Sequence, residues 1–166
     1  MNKRHEKTGV PPVDRTKPLL PHVDDSYKLR GKLAEPTVCP RCGAVFHRGR
    51  WQWLPAPESA HSVLCPACHR IEDKFPAGYV TLEGDFLAQH RGEILDLVHN
   101  VERREKAEHP LQRIIEIVEE GGSALVTTTD IHLARGIAEA VEHAYQGELD
   151  LRYNTQDNLL RAHWRR

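Results

Sequence analysis

The chain has 166 residues, a formal net charge of −1, 39% hydrophobic residues and a mean hydropathy of −0.58. This length allows one ordinary domain or two small ones with a tail, and so few apolar residues argue against a single large core. The first residues lack the apolar run of a signal peptide, and no stretch approaches the length of a membrane span. We therefore expect a cytoplasmic protein that contacts no membrane.

The charge is unevenly distributed along the chain. Residues 1–32 carry eight Lys or Arg against four Asp or Glu, whereas residues 81–166 carry ten against sixteen. A polyanion would therefore meet the N-terminal side, although ordinary surface charge explains so mild an asymmetry equally well. Four prolines lie among the charged side chains of residues 1–35. We predict a basic tail that is largely disordered, with ordering on a nucleic acid or a partner surface as the alternative.

Two Cys-x-x-Cys pairs follow this tail. Cys39 and Cys42 lie in CPRC, Cys65 and Cys68 lie in CPAC, and 22 residues separate the pairs. Two thiolates on one tight turn can bind a metal ion together, and a second such turn completes a tetrahedral site. We predict that residues 36–80 form a zinc ribbon in which these four cysteines bind one structural Zn²⁺ per chain.

Other chemistries of the cysteine pairs fit the sequence less well. The Cys-x-x-Cys-His of residues 65–69 matches a c-type haem attachment site, but it leaves the first pair without a role and offers only Met1 as a methionine ligand. Dithiol redox chemistry requires a thiol beside a helix N-terminus, and neither pair shows a strand-to-helix pattern. Disulfides would require an oxidising compartment.

Basic and aromatic side chains lie around the two pairs. If the chain is extended after the first pair, Trp51 and Trp53 share one face, where indoles could stack on bases while arginines meet phosphates. The alternative is that these indoles cover a small, poorly packed metal module. The candidate nucleic-acid contacts are Arg41, Arg48, Arg50, Trp51, Trp53, His69, Arg70 and Lys74.

Apolar periodicity predicts the rest of the chain. Residues 81–109 form a connecting helix, with Asp85 as its N-cap, and residues 110–166 form an α+β domain. Leu111–Glu120 fits a helix by its spacing and a strand by its β-branched residues, and we choose a strand of a hairpin. The predicted class is α+β: a four-cysteine zinc ribbon followed by a helix and a small β-β-α-β-β domain with an antiparallel sheet.

The chain resembles a known family through CPRCG, CPACHR and LVTTTDIHLARGIAEAV. These stretches are similar to the N-terminal part of the nuclear export adaptor of the large ribosomal subunit and its archaeal relatives, and to small bacterial zinc-ribbon proteins of the same layout. The resemblance covers residues 36–166. It implies metal binding by the four cysteines and association with the ribosome.

No catalytic motif is present. The sequence lacks a P-loop, a dinucleotide-binding glycine fingerprint, a G-x-S-x-G and an H-E-x-x-H. We therefore predict a non-catalytic zinc-binding protein that associates with RNA or the ribosome. The alternatives are a zinc-ribbon adaptor that binds another protein and a thiol-based switch that responds to redox state or metal. The sequence does not determine the oligomeric state.

Overall fold

The computed structural model describes residues 10–19, 25–29 and 31–166. Within them the chain forms nine strands and three helices, so the predicted α+β class is confirmed. None of these helices combines the length and the apolar character needed to cross a membrane. In chain order the elements are β1 (Thr37–Val38), β2 (Val45–His47), β3 (Arg50–Gln52), β4 (His61–Ser62), α1 (Pro66–Asp73), β5 (Gly78–Glu83), α2 (Asp85–Glu108), β6 (Ile114–Glu120), β7 (Ser123–Thr128), α3 (Ile131–Tyr145), β8 (Glu148–Asn154) and β9 (Leu159–Arg165).

Residues 36–74, which we call the cysteine unit, contain a small sheet and one helix. The four strands lie in the order β3-β2-β1-β4 and are each only two or three residues long. Helix α1 was not predicted from the sequence; it begins directly after Cys65, with Pro66 in its first turn. Proline suits that position because its missing N–H would have no partner within the helix.

Residues 77–166, which we call the sheet unit, contain a five-stranded sheet in the order β6-β7-β5-β9-β8. The central strand β5 was missed by the sequence analysis, although its residues alternate strictly between buried and half-buried. It lies between the two predicted hairpins and runs parallel to β9, so the sheet is mixed rather than antiparallel. It also crosses the predicted domain boundary at residue 80.

The ambiguous stretch before the glycine turn is confirmed as a strand. Residues 114–120 pair antiparallel with β7 as the edge strand β6, after an irregularity between Ile114 and Glu116. An edge strand pairs on one side only and buries few of its side chains. Its apolar residues therefore need not alternate strictly, and they can also fit a helical spacing. The sequence pattern alone was therefore ambiguous here.

Helices α2 and α3 pack on one face of the five-stranded sheet and form the apolar core with it. Trp164, Leu82 and Ile137 are fully buried there. Gly78 allows α3 to approach closely, because a Cβ at this position would lie 2.4 Å from the Cβ of Ala134. Helix α2 begins with Gly84 as its N-cap rather than the predicted Asp85, which occupies the first turn.

The N-terminal residues that the structure describes are docked, contrary to the predicted disordered tail. The backbone N–H of Val13 donates to the carbonyl of Leu151 at 2.8 Å. Arg135 of α3 donates to the carbonyls of Arg15 and Lys17 at 2.6 and 2.8 Å. Composition could not reveal these contacts, since they depend on acceptors that the tail backbone supplies to a distant helix. The rest of the predicted tail, residues 1–9, 20–24 and 30, lies outside the described residues.

Candidate metal centre

The structure brings the four predicted cysteines together. Their sulfur atoms all lie within 4.8 Å of one another, and the Sγ atoms of Cys42 and Cys65 are 3.8 Å apart. A tetrahedron with metal–sulfur bonds of about 2.3 Å has edges of about 3.8 Å. Three of the sulfur-bearing residues are buried and Cys42 is half-buried. The cluster therefore has the dimensions, the burial and the donor atoms for one metal ion held by four cysteines.

Two local structures present these sulfur atoms. Cys39 and Cys42 lie on the turn between β1 and β2, which is closed by a hydrogen bond from the Gly43 N–H to the Cys39 carbonyl at 2.9 Å. Gly43 has a φ of 79°, which glycine adopts without strain. Cys65 is the N-cap of α1 and Cys68 lies in its first turn. The second pair thus occupies a strand-to-helix step, which the sequence analysis had not recognised.

Backbone N–H groups point at the sulfur atoms and favour the thiolate form. The N–H of Cys65 donates to the Sγ of Cys39 at 3.3 Å, and the N–H of Cys68 donates to the Sγ of Cys65 at 3.4 Å. Burial raises the pKa of Cys39, but the hydrogen bonds from the backbone of Cys65, Cys42 and Arg41 outweigh it and lower that pKa to about 7. Such a thiol loses its proton readily to a metal ion.

Cys42 and Cys65 have the opposite tendency. Burial raises the pKa of Cys65 and also that of Cys42, and the neighbouring sulfur atoms raise the pKa of Cys65 further. Four thiolates crowded into one buried site therefore require positive charge close by. A divalent metal ion supplies two such charges, and the chain itself supplies a third.

That third charge is Arg113, which the sequence analysis missed. Arg113 is 7% exposed, and its Nη2 donates to the Sγ of Cys68 at 3.1 Å and to the Sγ of Cys65 at 3.3 Å. Burial lowers the pKa of the guanidinium, but the hydrogen bond and charge of Cys68 outweigh it and raise that pKa above its ordinary value. No sequence signal identifies this residue, because it lies 45 positions from Cys68 in the sheet unit.

Three of the residues predicted to contact nucleic acid instead contact other residues of the protein. Arg70 is 3% exposed, with an ion pair to Asp25 at 2.7 Å and a hydrogen bond to the Phe75 carbonyl at 3.0 Å. Arg41 forms an ion pair with Glu72. Trp51 is half-buried and packs against the cysteine cluster and the ring of Phe46. Arg70 would have to break its contacts to reach a polyanion, and Trp51 covers the cysteine cluster, in agreement with the alternative role for the indoles.

The remaining candidates are exposed. Arg48 lies in the turn between β2 and β3, Arg50 is the first residue of β3, and Lys74 is the C-cap of α1. Trp53 is 38% exposed and donates its indole N–H to the carbonyl of Lys106 on α2 at 2.7 Å. His69 lies beside Asp73 at 3.6 Å. Arg48 and Arg50, close in sequence at one turn, are thus exposed arginines without an ion pair to any residue that the structure describes.

Within residues 10–19, 25–29 and 31–166, the four cysteines are the only group of three or more His, Cys, Asp or Glu side chains close enough to hold a metal ion. Comparison of the chain with protein-family models, with curated proteins and with solved structures finds no match. The function must therefore be argued from the cysteine cluster and its surroundings.

Proposed function

We propose that this chain is a non-catalytic zinc protein in which one Zn²⁺ per chain, bound by Cys39, Cys42, Cys65 and Cys68, has a structural role. The observation that carries the proposal is that the four sulfur atoms all lie within 4.8 Å of one another in a largely buried cluster. Thiolates favour zinc among the abundant divalent ions, and four protein ligands leave no position for a reacting water. Such a site stabilises a fold and does not activate a substrate.

The metal would stabilise the cysteine unit, which buries few apolar side chains. The apolar cluster around the site consists of Cys39, Cys65, Ala67 and Cys68, with partly buried neighbours such as Trp51 and Leu64. A core of this size cannot offset the entropy of ordering the turn and α1. Binding of zinc to such a site contributes on the order of 10 kcal/mol, which is enough to do so. Reduced, metal-bound cysteines suit the cytoplasm, where we place the protein.

Metal analysis of the purified chain and titration with Co²⁺ test this proposal. We expect about one zinc per chain, and we expect Co²⁺ to give the intense absorption of a tetrahedral tetrathiolate complex. The control is the Cys42→Ser variant, which should shift the cobalt spectrum to that of three sulfur ligands. A cysteine unit that folds without metal, or that holds its cysteines as disulfides, would reject the structural zinc site.

We further propose, from the resemblance to the export adaptor family and from the exposed arginines, that the protein associates with RNA or the ribosome. Arg48 and Arg50 form no ion pair with any residue that the structure describes, so both guanidinium groups are available to phosphates. The side chain of Glu35 accepts hydrogen bonds from the N–H groups of Arg48 and Gly49 at 2.8 and 3.1 Å and thereby orders the turn that presents them.

Co-sedimentation with ribosomes and with structured RNA at increasing salt tests this association. We expect the Arg48→Gln, Arg50→Gln double variant to bind more weakly and to lower the slope of log affinity against log salt by about one to two. The matched control removes Arg103 and Arg104, two exposed neighbours on α2. A wild-type protein that remains in the supernatant at low salt with every RNA would reject this part of the proposal.

Two further experiments test the alternative functions. Protein partners that still copurify after nuclease treatment would favour the protein adaptor, and loss of zinc under mild oxidant would favour the thiol switch.

A further inference from the structure

A buried arginine of the sheet unit contacts the cysteine cluster. The Nη2 atom of Arg113 lies 3.1 and 3.3 Å from the sulfur atoms of Cys68 and Cys65. The Nε atom of the same guanidinium is buried and has no hydrogen-bond partner in the described part of the chain. Burying a guanidinium that has an unpaired N–H donor lowers the stability of a fold unless strong negative charge lies beside it. Four thiolates around one divalent ion supply that charge, since the complex carries a net charge of −2.

The backbone of Arg113 is fixed by the end of strand β7. The N–H of Arg113 donates to the hydroxyl of Thr129 at 3.0 Å, and the N–H of Thr129 donates to the carbonyl of Arg113 at 2.9 Å. The same hydroxyl donates to the carbonyl of Leu111 at 2.6 Å, and Leu111 packs against the cysteine cluster. The backbone position of Arg113 is therefore set by the sheet unit, whereas the acceptors of its guanidinium belong to the cysteine unit.

We propose that Arg113 is a positioning residue of the metal centre: by donating hydrogen bonds to metal-bound Cys65 and Cys68, it makes metal binding and the docking of the cysteine unit on the sheet unit stabilise each other. This inference rests on the proposed zinc site and goes beyond it, because a closed site of four cysteines requires no contribution from a second unit. Hydrogen bonds to metal ligands from outside the ligand set commonly change metal affinity by about 10-fold to 100-fold.

Arginine suits this role better than lysine. Its planar group can direct several N–H donors at neighbouring acceptors, whereas an ammonium is a compact point charge that keeps its water more strongly. The chain offers a matched comparison in Arg70, which is also buried and lies on α1 beside Cys68, but donates to Asp25 and to the Phe75 carbonyl rather than to sulfur. Loss of Arg70 reports on general destabilisation near the site without removing a bond to a ligand.

Competition with a chromophoric zinc chelator tests the proposal on the full chain. We expect Arg113→Met to raise the dissociation constant for zinc by about 10-fold to 100-fold, and Arg113→Lys to give an intermediate value. We expect Arg70→Met to change this constant by less than about 3-fold, since the bonds to sulfur remain. An Arg113→Met protein that binds zinc as the wild type does would overturn the proposal, as would an equal loss of affinity in Arg70→Met.

A measurement on the unmodified chain covers the case in which Arg113→Met does not fold. With ¹¹³Cd²⁺ bound, the guanidinium protons of Arg113 should exchange slowly with solvent and should show coupling to the metal through the N–H···S hydrogen bonds. Fast exchange, as for the exposed Arg48, would overturn the role of Arg113 while leaving the metal site intact. A chain that binds neither zinc nor cadmium would instead reject the proposed function, and this inference with it.

Discussion

The strands of the cysteine unit are two or three residues long, whereas those of the sheet unit are six or seven residues long. The buried apolar cluster of the cysteine unit consists of three cysteines and one alanine, whereas that of the sheet unit includes Trp164, Leu82 and Ile137. The sheet unit can be stabilised by apolar burial, which is roughly proportional to area. The cysteine unit needs a localised interaction, and a metal ion is the strongest that its residues can form. Four predictions test this difference.

The largest effect should follow loss of the metal. We expect Cys65→Ser, or removal of metal by a chelator, to unfold residues 36–74, because about 10 kcal/mol of binding free energy is lost. The core of the sheet unit should survive, with hydrogen exchange increasing only around Leu111–Ile114, where Arg113 and Leu111 lose their contacts. Hydrogen exchange followed by mass spectrometry measures both regions. A cooperative loss of both units would contradict the division of the chain into two units with separate sources of stability.

Removal of a buried apolar side chain should destabilise the sheet unit and leave the metal site in place. Leu82 is fully buried on the central strand β5, so Leu82→Ala should reduce the free energy of unfolding by about 2–5 kcal/mol. Val118 lies exposed on β6, and Val118→Ala is the matched control with an expected change below about 0.5 kcal/mol. Chemical denaturation followed by the fluorescence of buried Trp164 measures the change. Metal content should remain near that of the wild type while the sheet unit stays folded.

The two units should also differ in their response to pH. Burial raises the pKa values of Cys42 and Cys65, so both carry protons near neutral pH when no metal is bound, and metal binding must release them. Lowering the pH therefore weakens metal binding between about pH 6 and 8, by at least about 100-fold per pH unit because two or more protons are released. Chelator competition across this range measures the slope, and the stability of the sheet unit should change far less. A slope near zero would show that the sulfur atoms are not the ligands.

The smallest effect concerns the docked N-terminal segment. The guanidinium of Arg15 forms an ion pair with Glu142 of α3, and its side chain is 39% exposed. Because solvent screens such a pair, Arg15→Ala should reduce the free energy of unfolding by less than about 1 kcal/mol. Leu19, which is buried in the same segment, provides the contrast. Leu19→Ala should reduce the free energy of unfolding more than Arg15→Ala does, because it removes buried apolar surface. Equal effects would mean that the ion pair is more strongly shielded from solvent than its exposure indicates.

The predictable parts of this protein depend on residues that are close in sequence. The i, i+3 spacing within each cysteine pair identified the four candidate metal ligands, because both sulfur atoms of a pair lie on one local turn. The helical stripe of α2, the β-branched residues of β6 and the alternation in β8 and β9 identified those elements for the same reason. Strand β5 also had a local signal, but the predicted boundary at residue 80 divided its residues between the zinc ribbon and the connecting helix.

Tertiary structure alone decided how these pieces meet. Three features each join residues that are distant in the chain. Strand β5 inserts between the two hairpins, Arg70 forms an ion pair with Asp25, and Arg113 contacts Cys65 and Cys68. A sequence pattern reports which face of an element is apolar, but not which distant side chain will offset its charge. The sequence by itself therefore determined that four cysteines can bind a metal, whereas the packing of the two units placed an arginine against that site.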